Sequence, residues 1–144
     1  PNTVLLLGAA GLVAGGLYLG LKKAHKPGVK SPQDAITAII KFKHKGAGEK
    51  LWVGFGYVET KQIPLSGGLE IGRITNFTYI TMDIESHEDF TVHTAEVKAT
   101  VPDLPADKYG LFVFLQHEGG SLREDGKGFI LGKWYHDQLI VEEG

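Results

Sequence analysis

Cysteine does not occur among the 144 residues. That one absence removes disulfides, thiolate metal sites and cysteine nucleophiles together, and it fits a reducing compartment or a hot environment. Catalytic signatures are missing too, with no G-x-S-x-G, no P-loop and no H-E-x-x-H. The acid pairs Glu124-Asp125 and Glu142-Glu143 fall in a loop and a tail, with no sign of the buried, pKa-shifted pair that acid–base work needs. Nor does the larger part of the chain carry the basic face of a nucleic-acid binder. Residues 51–144 sum to −8 and residues 1–50 to +6, for a net charge of −2. An acidic main domain argues against nucleic acid as a partner.

Charge is also missing from one continuous stretch. Residues 3–21 (TVLLLGAAGLVAGGLYLGL) are apolar and uncharged, and Lys22 and Lys23 close them abruptly. As a helix the run would rise roughly 28 Å, close to the roughly 30 Å hydrocarbon core of a bilayer. A cleaved signal peptide would need a basic region ahead of the apolar core and an A-x-A site after it. Only Pro1 and Asn2 stand ahead, and LYLGLKKAHKPG follows. A dinucleotide fingerprint is excluded by the G-x-x-G-x-x-x-G spacing of Gly8, Gly11 and Gly15 and by the lack of a following βαβ pattern. A buried soluble helix would need a polar face, which the run does not have. The expectation is a single-pass transmembrane helix.

Two features extend that reading. Gly11 with Gly15, and Gly16 with Gly20, are small-xxx-small pairs that let helices pack closely in lipid, on a second copy or on another membrane protein. The collar Lys22, Lys23, Lys26 and Lys30 suits anionic headgroups, so the lipid bilayer itself is an expected partner. By the positive-inside rule the collar puts the rest of the chain on the cytoplasmic, or capsid-facing, side.

The expected organisation is an anchor with its basic collar over residues 1–23, a linker over 24–34 and a β-domain over 35–144. Pro27-Gly28 and Ser31-Pro32 punctuate the linker. Beyond it, apolar residues recur with period two. Ile36, Ala38, Ile40 and Phe42 share one face, as do Leu51, Val53, Phe55 and Tyr57, while Gly54 and Gly56 mark a close approach on the opposite face. IPLSGGLEIGRI reads as a short strand with a turn at Ser66-Gly67-Gly68. FTYITMDIES and TAEVKATV alternate, and YGLFVFLQH is apolar on both faces, as a central strand is. A polar loop from Gly119-Gly120 to Gly128 precedes one or two final strands. Seven or eight short strands without a helix after the anchor predict a mainly β fold, an antiparallel β-sandwich of immunoglobulin-like or jelly-roll-like architecture, with a closed barrel as the alternative.

Site chemistry is thin. His87, Glu88, Asp89 and His93 offer metal-binding atoms, but their spacing matches no signature. Asp103 and Asp107 around Pro105 read as turn chemistry. No catalytic, cofactor-binding or metal residue is assigned, and no small-molecule substrate is evident. Most aromatics are expected in the core. Trp134 and Tyr135 are the exception, because neighbours on a strand point to opposite faces, and they are the expected partner contact. Asn76-Phe77-Thr78 is a glycosylation sequon, usable only on an external domain.

Together these features predict a membrane-anchored, non-enzymatic structural protein, a subunit or linker of a larger assembly such as a virion with an internal membrane and a capsid. Alternatives are a surface filament subunit of the archaeal pilin kind, or a tethered β-sandwich that binds sugar or protein.

Overall fold

The computed structural model describes residues 3–7, 28–30, 34–44, 48–62, 69–86, 89 and 91–142. Their alternation of apolar and polar side chains becomes eight strands. These are β1 (Thr3–Leu7), β2 (Gly28–Lys30), β3 (Ala35–His44), β4 (Glu49–Gln62), β5 (Leu69–Ile84), β6 (Thr91–Thr100), β7 (Asp107–His117) and β8 (Leu131–Val141). The chain is mainly β, built as two sheets of order β1-β3-β6 and β2-β8-β7-β4-β5. The long ladders β3–β6, β4–β5, β4–β7 and β7–β8 are all antiparallel, and only the short β1 and β2 pair in parallel.

The period-two faces meet between the sheets. Ile36, Ala38, Ile40 and Phe42 of β3 pack with Leu51, Val53 and Phe55 of β4 and Leu111, Val113 and Leu115 of β7, all at or below 1% exposure. β7 lies between β4 and β8, so its apolar outer face needs a cover as well. A second cluster forms there from Val58, Ile74, Phe112 and Phe114, with Phe77, Leu122 and Phe129 packed against it.

Leu122 and Phe129 come from the connection between β7 and β8, residues 118–130, which folds over the outer face. Gln116, buried beneath it, holds it down: its Nε2 donates to the Ser121 and Gly128 carbonyls at 2.8 and 2.9 Å. At the sheet's margin the Ile74 N–H donates to the Glu124 carbonyl at 2.9 Å.

Alternating strand directions define two ends. Ala35 begins β3 opposite Thr100 at the near end, where the chain arrives from the linker. At the far end His44 lies opposite Thr91, and Glu49 opposite Ile84. Ten residues of β3 separate the ends by about 33 Å.

The start of the apolar run differs from the expected helix. Thr3–Leu7 run parallel to β3, with Thr3 opposite Ile36 and Leu7 opposite Ile40. An open strand edge offers unpaired N–H and C=O groups, and a segment opening on two β-branched residues can satisfy them. Residues 8–27, which hold the rest of the run, Gly11, Gly15, Gly16 and Gly20, and Lys22, Lys23 and Lys26, lie outside the described residues. Among the described residues no helix is long and apolar enough to cross a membrane.

Candidate functional site

The far end gathers side chains that are dispersed in sequence. His44 closes β3, Glu49 opens β4, His93 is near the start of β6 and His117 closes β7. Antiparallel order brings these termini together. The His93 Nε2 lies 3.3 Å from the His44 carbonyl, and its ring packs on Phe42 with centroids 5.3 Å apart. Across the interface the His117 Nδ1 is 3.0 Å from a Glu49 oxygen. Burial first, and the neighbouring His93 second, hold the His44 imidazole below its ordinary pKa of 6.5; His117 acts in the same sense and Glu49 opposes them.

His44 therefore links stability to pH. Above about 6.5 it is neutral folded and unfolded, so it contributes no pH dependence. Below that value the unfolded chain takes up its proton first, and stability falls as pH drops. The urea midpoint should decrease between pH 7.5 and pH 5, and His44→Gln should decrease less. An equal acid loss in the variant would assign the effect elsewhere.

A different kind of surface lies on the outer face of the larger sheet. Trp52 and Tyr79 stack with centroids 4.3 Å apart, and Tyr79 remains 39% exposed. Lys50 and Asp83 stand opposite each other on the same two strands. Toward the near end, Glu59, Arg73, Thr75, Leu104 and Tyr109 line an open cleft of about 290 Å³. Two of its polar groups are already engaged, since the Tyr109 hydroxyl donates to the Pro105 carbonyl at 2.7 Å and Arg73 pairs with Glu124 at 2.9 Å. Among the described residues no group of three or more His, Cys, Asp or Glu side chains is arranged to hold a metal ion.

The residues singled out from sequence are placed as follows. Tyr135 is buried in the inter-sheet core at 7% exposure, and its hydroxyl has no hydrogen-bond partner among the described residues. Trp134 is half-buried against the outer cluster. Both faces of β8 are covered at this point, so neighbouring residues can both be inside. Lys30 ends β2 opposite Val141. Asn76 is exposed in the middle of β5 with a φ of 56°.

The far-end histidines and the Trp52–Tyr79 stack are what the sequence reading missed. Each histidine stands at or near the end of a strand, and that position is the signal the sequence carries. The chain matches no protein-family model, no curated protein and no solved structure.

Proposed function

We propose that the chain is a membrane-anchored structural protein, a non-enzymatic subunit or linker of a larger assembly such as a virion with a membrane beneath its capsid. The observation that carries this reading is the uncharged run of residues 3–21 closed by Lys22 and Lys23. Insertion of the whole run would withdraw Thr3–Leu7 from β3, because residues 8–21 alone would rise only about 21 Å, short of the roughly 30 Å core. Docking on β3 and spanning the bilayer are mutually exclusive states of one segment. The domain is read as an immunoglobulin-like or jelly-roll-like sandwich, because the chain changes sheets at β1–β2, β2–β3, β3–β4, β5–β6 and β6–β7. It would hang by its near end, on the cytoplasmic or capsid-facing side, with the histidine end directed away from lipid.

Protease accessibility of a C-terminal tag, with carbonate extraction of the same membranes, tests the reading. The protein should stay with the membrane in carbonate, and its tag should be protected in intact cells and cleaved in inverted vesicles. Release by carbonate would remove the anchor. Cleavage in intact cells would reverse the orientation, make the Asn76 sequon usable and favour a surface filament subunit.

The stacked Trp52 and Tyr79 favour a second reading, a tethered module that binds sugar or protein, because aromatic faces of this kind contact sugar rings and protein side chains. Saturable glycan binding that Tyr79→Ala abolishes would support it over the structural role.

A further inference from the structure

The two sheets end in β strands whose open edges are treated differently. β5 is the edge of the larger sheet, and its ladder with β4 is broken by register shifts between Phe55 and Tyr57 and between Val58 and Thr60. Asn76 turns its backbone to a φ of 56°, and the Glu124 carbonyl takes the Ile74 N–H. Bulges and covering loops of this kind keep an edge from pairing with another chain.

Among the described residues β6 has neither device, and it pairs on one side only, with β3, in unbroken register from Thr91 to Thr100. Its solvent face carries Thr94, Glu96, Lys98 and Thr100, all exposed. A lysine on an edge ordinarily discourages pairing by leaving a buried or repelled charge. Here the lysine stands two residues from a glutamate on the same face, and the two lie 3.6 Å apart with side chains 73% and 57% exposed.

We propose that β6 is the seam of a two-fold dimer, in which the β6 strands of two copies pair antiparallel about Val97. With Val97 on the axis, Glu96 of each copy falls opposite Lys98 of the other, and Thr94 opposite Thr100. On the inner face Ala95 meets Ala99, so small side chains border the seam. The arrangement neutralises both edge charges at once and pairs the outward backbone groups of residues 94–100, which have no partner strand among the described residues. It joins two three-stranded sheets into one of six strands. Such an interface is self-complementary, as a closed two-fold contact requires. Opposite charges directly across a ladder favour pairing and like charges oppose it. The charge order therefore selects this register with a second copy of the chain.

Sedimentation equilibrium of the full-length chain in detergent micelles tests the seam, with Gly15→Leu introduced throughout to suppress association through the apolar run. The protein should dimerise. Glu96→Lys and Lys98→Glu each place two like-charged pairs across the axis and should weaken the dimer by about tenfold or more. The double variant E96K/K98E reverses both charges, recreates the opposite pairs and should restore the original constant. Both positions are exposed, and unchanged far-UV circular dichroism would show that the fold is intact. A chain that stays monomeric at every concentration would overturn the proposal. So would single variants that dimerise as the parent does, or a double variant as weak as the singles.

Discussion

Phe114→Ala should lower the unfolding free energy by about 3–5 kcal/mol, a large share of the roughly 5–15 kcal/mol that holds a domain of this size together. Phe114 is fully buried in the outer cluster, with its ring 4.9 Å from Phe129 and 5.7 Å from Phe77, edge-on to the latter. Its partners across the two neighbouring strands are Gly54 and Gly132. Neither glycine has a side chain that could settle into the space the ring leaves. The cavity should persist, and the loss should sit at the upper end of the range for Phe to Ala. Urea denaturation checks this, as a lower midpoint with an unchanged slope. A loss under about 1 kcal/mol would mean that the 118–130 connection collapses onto the gap, and that the outer cluster adds little.

Gly54→Val sets two effects against each other. By strand propensity valine should improve β4 by up to about 1 kcal/mol. By sterics it should fail, because a Cβ at Gly54 collides with the Thr78 carbonyl oxygen and comes within 2.6 Å of the Tyr79 Cα. The obstacle is the backbone of the paired strand, which cannot move aside without breaking the β4–β5 ladder. Overpacking in a well-filled core costs about 1–3 kcal/mol, and a clash with fixed backbone belongs at or beyond the top of that range. The net expectation is a loss of about 3 kcal/mol or more. Gly54→Ala discriminates the causes, since the clash is already complete at Cβ. Alanine should therefore show most of the loss in thermal denaturation, and an alanine variant as stable as the parent would show that β5 yields.

The main strands were legible because their inner faces are written with period two. Ile36 to Phe42 and Leu51 to Tyr57 face the core as the alternation requires. The doubly apolar YGLFVFLQH marks β7 as central, and it is. What covers its outer face was not legible, because the 118–130 connection is polar apart from a few residues such as Leu122 and Phe129, and its hold depends on one buried glutamine. Covering both faces is also what takes Tyr135 inside. β5 was expected in two pieces. It runs as one strand because Asn76 tolerates the left-handed backbone that a bulge needs, so the irregularity bends the strand without ending it. Hydropathy likewise cannot say whether residues 3–7 belong to a helix or a strand, since an apolar run suits either. The β3 edge that pairs them is a feature of the assembled fold. The far-end histidines share that property: nothing local links His44 to His93, 49 residues on.

The strand order has a consequence in time. The β4–β5 and β7–β8 ladders join neighbours in sequence and can zip from their turns within microseconds. β3 must instead wait for β6, and β4 for β7, so large loops close before either ladder gives any return, and folds of this kind mature in milliseconds to seconds. On the ribosome, at roughly 5–20 residues per second, β3 emerges seconds before its partner. Through that interval β4 is already made and can cover Ile36, Ala38, Ile40 and Phe42, while the edge of β3 that β6 will take stays open. Because β1 and β6 flank β3 on opposite edges, Thr3–Leu7 can hold one edge of the nascent strand while the other waits, and the arrival of β6 completes the sheet without displacing them.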